Sequence, residues 1–168
     1  MTAAPSVQRR VSIGIAEIVV SREPAEILVA YGLGSCVGVT VFDAEGRLGG
    51  MAHVLLPASE GRTPGPAEPA RFADCGIDAL LQLFTDAGAI KRRLIVKIAG
   101  GGSVLGPANA QKFKIGERNA EAIKERLRHH GLSVVSSELG GVTGRTLELH
   151  VASGKTFVRT ATSQAAEL

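Results

Sequence analysis

Hydrophobic positions along this chain recur at two different periods, and the changes of period divide it into elements. Val11, Ile13 and Ile15 alternate with small or polar neighbours, and Ile27, Leu28 and Val29 form an apolar run after the Glu23-Pro24 break. Val37, Val39 and Val41 alternate next, up to a turn at Asp43-Ala44-Glu45-Gly46, and Leu48 to Leu56 returns before Pro57. A period of two on both sides of a short turn predicts a β-hairpin. Ala58 to Pro69 is polar and carries Pro64, Pro66 and Pro69, which predicts a surface connection long enough to serve as a lid. Beyond it the period lengthens. Ile77, Leu80, Leu81 and Phe84 fall at i, i+3, i+4 and i+7 and predict a helix that stops at Gly88. Leu94 to Ala99 reads as a strand running into Gly100-Gly101-Gly102-Ser103. A second helix is expected from about Glu117 to His130, burying Ala120, Ile123 and Leu127 and ending at Gly131. Lys124, Arg126 and Arg128 near its end suit the helix dipole. Strands are expected at Leu132–Ser136, Thr146–Val151 and Thr156–Arg159, and Ala161–Leu168 reads as a frayed tail.

About nine strands against two helices imply an α+β domain. So many strands with apolar faces exceed what one half-exposed sheet needs. Two packed mixed sheets with helices covering their outer sides is the economical arrangement.

Composition narrows the class. At 168 residues the chain suits a single domain, its core about residues 11–160 with both ends expected to fray. Apolar residues make up 45% and charged residues 21%, a globular profile, and no apolar run approaches the ~20 residues that cross a bilayer. Met1 to Arg10 is small, polar and basic with no hydrophobic stretch after it, which argues against a secretory signal. Two cysteines do not make a disulfide framework, so a reducing, cytoplasmic setting is expected. The net charge of +3 is scattered, with Lys91-Arg92-Arg93 the one tight triplet and aromatics at 4%. That pattern argues against nucleic-acid binding.

The stretch with most chemistry in it is Tyr31-Gly32-Leu33-Gly34-Ser35-Cys36-Val37-Gly38. Glycines before a cysteine allow a sharp bend and close approach of substrate. Consecutive N–H groups around Gly34, Ser35 and Cys36 can converge on one spot, a nest that would favour thiolate and hold an oxyanion. A hairpin centred on Asp43 to Gly46 places His53 directly across from Cys36, within reach of the thiol. The competing reading is a buried structural cysteine and a satisfied core histidine. Other candidates carry less. Cys75 falls near the first helix's apolar stripe and reads as packing, His129 and His130 cap a helix end, and His150 shares a polar strand face with Thr146 and Glu148. No CxxC or HxxxH spacing supports zinc, and Gly100-Gly101-Gly102-Ser103 lacks the Lys-Ser/Thr of a P-loop. No cofactor or metal is therefore expected. Gly34-Ser35-Cys36 superficially matches the papain signature, but that family needs a histidine ~130–150 residues downstream.

Taken together, five ordered segments resemble the CheD family of chemoreceptor glutamine deamidases. They are Gly32-Leu33-Gly34-Ser35-Cys36, Met51-Ala52-His53-Val54-Leu55-Leu56-Pro57, Lys97 to Ser103, Ile115-Gly116-Glu117-Arg118-Asn119, and Gly140-Gly141 with Arg145. The resemblance runs from about Ile13 to Arg159. It implies an α/β/β/α fold like that of toxin-type cysteine deamidases, with Cys36 as nucleophile and His53 as base. The substrates implied are glutamine side chains on the cytoplasmic helices of methyl-accepting chemotaxis receptors. It also implies receptor methyl-ester hydrolysis in some members and binding of the CheC phosphatase in others. The same first half-reaction, with an amine in place of water, would describe a transglutaminase. The family's usual threonine six residues before the cysteine is Ala30 here. This leads to the expectation that the Ala30 carbonyl orients His53, or else that the protein is a non-catalytic adaptor for receptors or CheC. Ser35, Gly34, Gly101 and Gly102 are the expected oxyanion and substrate-binding positions.

Overall fold

The structure, a computed structural model, describes residues 7–104 and 114–168. The first six residues of the basic segment Met1 to Arg10 lie outside that range. Among the described residues, ten strands form two five-stranded mixed sheets. One has the order β1 (Arg9–Ser12), β3 (Glu26–Leu33), β8 (Arg145–His150), β9 (Thr156–Thr160), β10 (Ala166–Glu167). The other has the order β2 (Ile18–Ser21), β5 (Leu48–Val54), β4 (Val37–Asp43), β6 (Ile95–Gly100), β7 (Val134–Leu139).

Every residue of β4 and β5 is buried, because the two strands are covered on both faces. Val37, Val39 and Val41 point toward the helices and join Ile77, Leu80, Phe84, Ile123 and Leu127 in one apolar cluster. The alternate residues face the first sheet, where Leu28, Ala30, Leu33, Cys36, Met51, Leu147 and Leu149 form a second cluster. Helix α1 (Ala73–Asp86) buries the predicted stripe, and Gly88 follows it at φ +82°, the left-handed position that only glycine takes without strain. Helix α2 (Ile115–His129) buries Ala120, Ile123 and Leu127 as expected and also Gly116 and Asn119.

Two expectations change. Among the described residues both helices pack on the second sheet, against β2, β4, β5 and β7, so the layers run sheet, sheet, helices instead of helices on both sides. The outer face of the first sheet instead carries ion pairs, with Glu148 held between Arg10 and Arg159. The tail is also not frayed. Ala166 and Glu167 pair with Val158 and Phe157, and Leu168 N–H donates to the Thr156 carbonyl at 2.9 Å. The polar loop after Pro57 is tied down rather than free. Ser59 donates from N–H and hydroxyl to Asp74, and Ala70 N–H donates to the Ala16 carbonyl at 2.8 Å.

Candidate active site

Cys36 lies on the short connection that takes the chain from β3 in one sheet to β4 in the other. All three carbonyls of this connection are taken. Gly34 O accepts from Gly102 N–H at 2.7 Å, Cys36 O from Gly101 N–H at 2.9 Å, and Ser35 O from Asn119 Nδ2 at 2.9 Å. Gly100 sits so close that a Cβ there would lie 2.2 Å from Cys36 O. Gly101 and Gly102 were expected at the oxyanion and substrate-binding positions. Their N–H groups are consumed in bracing the cysteine turn, as a strand end hydrogen-bonded to its neighbour must be. The N–H groups of Ser35 and Cys36, by contrast, donate to no backbone acceptor among the described residues.

His53 lies on β5 with its ring in the layer between the sheets. Its partner across the hairpin is Gly38, not Cys36. The turn is the reason. Asp43 is not a loop residue but the last ladder position, opposite Leu48, buried against Arg93 and accepting Gly46 N–H at 3.1 Å. This moves the register by two residues, and an even shift keeps every side chain on its expected face. Cys36 precedes the first ladder pair, Val37 with Val54, and its side chain joins the cluster between the sheets, the layer in which the His53 ring meets Ile13. Gly38, opposite His53, has no side chain, and a Cβ there would meet Leu147 at 2.6 Å.

The imidazole is oriented by Ile13. Nδ1 donates to the Ile13 carbonyl at 3.2 Å, the backbone N–H of His53 donates to Glu17 O at 3.0 Å, and Ala16 N–H donates to His53 O at 2.9 Å. The loop from Gly14 to Glu17 crosses from sheet to sheet, and a bond from Gly14 N–H to the Glu17 carboxylate closes it at 2.7 Å. Ala30 is thus not the orienting carbonyl. It pairs with Leu147 on β8 and lies fully buried among apolar side chains. With Nδ1 carrying the hydrogen, neutral His53 keeps its lone pair on Nε2, which is buried and has no hydrogen-bond partner among the described residues.

Electrostatics set the resting state. Burial pushes the Cys36 thiol up from its ordinary value, and its own backbone N–H offsets only part of this. Cys36 is therefore not a standing thiolate. Burial likewise pushes His53 down, against smaller upward contributions from the Ile13 carbonyl and Glu17. Thiol and imidazole are both neutral at neutral pH.

Asn119 is the site residue that composition and spacing did not single out. It is fully buried one turn into α2, and Nδ2 bridges Ser35 O at 2.9 Å and Leu55 O at 3.0 Å. The remaining candidates stay elsewhere. Cys75 lies beside Ser59 and Asp74, His130 bonds Asp78 at 2.7 Å, and His150 packs edge-on to Phe157. A groove of about 260 Å³ between Pro57, Asp74 and Arg126 includes neither Cys36 nor His53. Among the described residues no group of three or more His, Cys, Asp or Glu is placed to hold a metal, and no helix is long and apolar enough to cross a membrane.

Comparison with known proteins gives consistent matches. Residues 55–160 match the family model described as CheD chemotactic sensory transduction. The matched span begins just after His53, but alignments with curated relatives reach further. A protein of Symbiobacterium thermophilum named "probable chemoreceptor glutamine deamidase CheD" is 40% identical over 154 residues, 91% of this chain and 93% of its own. Proteins of the same name from Haloarcula marismortui and Geobacillus kaustophilus are 39% and 38% identical, each over 97% of this chain and 92% and 99% of their own. Among solved structures, the Bacillus licheniformis hypothetical protein YfiH matches with a TM-score of 0.47 and 12% identity, covering 81% of this chain and 60% of that one.

Proposed function

This chain belongs to the CheD family, and from that premise we propose that it deamidates glutamine side chains of methyl-accepting chemotaxis receptors through a Cys36 thioester. The observation that carries the reading is the placement of Cys36 and His53. Both face the layer between the two sheets, where Nδ1 donates to the Ile13 carbonyl and Nε2, with no hydrogen-bond partner among the described residues, is available as a base.

The steps follow from those atoms. Sγ attacks the side-chain amide carbon as its proton passes to Nε2, and the amide oxygen becomes an oxyanion within reach of the Ser35 and Cys36 N–H groups. The C–N bond then breaks, the imidazolium gives its proton to the departing ammonia, and a thioester remains on Cys36. Water, losing a proton to Nε2, attacks the thioester. The thiolate leaves and regains that proton, and glutamate is released. A receptor methyl ester would follow the same course with methanol as the leaving group. The setting would be cytoplasmic, where the receptor helices lie, with the CheC phosphatase as a second partner. An adaptor without catalysis was suggested by the missing hydroxyl at Ala30. Because Ile13 supplies the acceptor, that feature no longer favours it.

The test is mass spectrometry of a chemoreceptor cytoplasmic fragment incubated with the protein. Conversion of amide to acid at defined glutamines is expected for the native sequence and absent for Cys36→Ala, with His53→Gln slowed about a hundredfold or more. Unchanged receptors, with a folded protein, would overturn the reading.

A further inference from the structure

The carbonyls flanking the two reactive residues share a single donor. Ser35, whose carbonyl accepts one Asn119 hydrogen, immediately precedes the nucleophile. Leu55, whose carbonyl accepts the other, lies two residues beyond the base. No other side-chain hydrogen bond joins the cysteine turn to the end of the histidine strand among the described residues. The amide cannot be reversed, because both neighbours are acceptors and only the NH2 end can serve them. Oδ1 is buried and has no partner among the described residues.

The helix that delivers Asn119 is itself seated on the same frame. A Cβ at Gly116 would lie 2.4 Å from the carbonyl carbon and oxygen of Gly101, so α2 begins in direct backbone contact with the turn that braces Cys36. Helix, glycine turn, cysteine turn and histidine strand therefore meet around one carboxamide. From this we propose that Asn119 is a positioning residue, which sets the separation of Cys36 Sγ and His53 Nε2 by holding Ser35 and Leu55 at a fixed distance.

The inference rests on the Cys36–His53 reading of the site, and two separate readouts keep their failures apart. The first needs no receptor. The rate of Cys36 alkylation by iodoacetamide across pH is compared in the native protein and in His53→Gln. The same comparison is then made on an Asn119→Ala background. His53 is expected to accelerate alkylation in the native protein and to lose that effect when Asn119 is absent. If the native protein and His53→Gln react alike, the pair itself is refuted and the positioning role with it. The second readout is receptor deamidation. Asn119→Ala and the isosteric, donor-free Asn119→Asp should lower kcat about a hundredfold with KM changed far less, while Asn119→Ser, which keeps one donor, recovers part of the loss. Added to His53→Gln, Asn119→Ala should cost nothing more. Should Asn119→Ala fail to fold, Asn119→Ser decides by the same kcat readout at an unchanged melting temperature. A folded Asn119→Ala with kcat within about twofold of the native protein, or with a full additive loss in the His53→Gln background, overturns the proposal.

Discussion

Ile13 directly follows β1 and Ala30 lies on the neighbouring β3, and it is the Ile13 carbonyl that meets the imidazole. Ile13 N–H continues the β1–β3 pairing by donating to Val29 O at 2.8 Å, while its carbonyl accepts the His53 Nδ1 hydrogen. An orienting group of this kind leaves no mark in a sequence, because any residue at position 13 offers the same carbonyl. The resemblance to the CheD family pointed instead to position 30, where the family's usual threonine is replaced by Ala30 and the backbone carbonyl was expected to serve. The difference can be tested. Ala30→Thr should not speed deamidation, since Nδ1 already has its acceptor. It should also lower stability by about 1–3 kcal/mol, because a larger, polar side chain enters a fully buried apolar position. Denaturant unfolding and steady-state rates measure both. A rate gain of about tenfold or more would mean that the Ile13 carbonyl is an inadequate orienter.

Among the elements, the strands and helices were legible in outline, and the faces of β4 and β5 were read correctly. The register was not, because it depends on Asp43. A carboxylate after an alternating run looks like the first residue of a turn. Here it is a buried ladder residue because Arg93, far along the chain, ion-pairs with it at 2.6 Å. Asn119 stood out only as the end of the family-like segment Ile115 to Asn119, with no role assigned to it; its burial follows from the packing of α2 onto Gly101. That packing makes the start of α2 the sensitive point of the architecture. Gly116→Ala would gain roughly 1 kcal/mol of helix propensity, yet its Cβ meets backbone that cannot rotate away. A net destabilisation of about 1–3 kcal/mol is expected, together with a fall in kcat as Asn119 moves with the helix. Gly65→Ala, where a Cβ meets nothing within 4 Å, is the matched control and should be nearly silent. Equal effects at the two positions in unfolding experiments would show that close contact at Gly116 is not what holds α2 in place.

Over the whole molecule, the same burial that shapes the site ties fold stability to its protonation. His53 is enclosed between two sheets, and its folded pKa lies below the ordinary 6.5 chiefly because of that burial. Once the pH falls below about 6.5, the unfolded chain binds a proton at this position that the folded chain refuses. The sign follows directly: stability is fully present above that pH and declines as pH falls toward the folded pKa. Asp43 behaves differently. Burial alone would raise it, but Arg93 and the Gly46 N–H bring it below its ordinary 3.8, so its contribution persists until more acidic conditions. Between about pH 6.5 and 4, then, His53 should account for a distinct part of the acid loss. Denaturant titrations over that range should find the native protein losing stability steadily, with the slope clearly reduced in His53→Gln. Identical slopes in the two proteins would place the acid sensitivity elsewhere. Catalysis should follow the same group from the other side. An imidazolium cannot take the Cys36 proton, so kcat/KM should fall on acidification with an apparent pKa below 6.5, the value His53 would show if it were exposed. The thiol, pushed upward by burial, should impose no ionisation near neutrality. A pH–rate profile that instead followed a single thiol ionisation near neutrality, in both native protein and His53→Gln, would mean that Cys36 acts as a standing thiolate without His53.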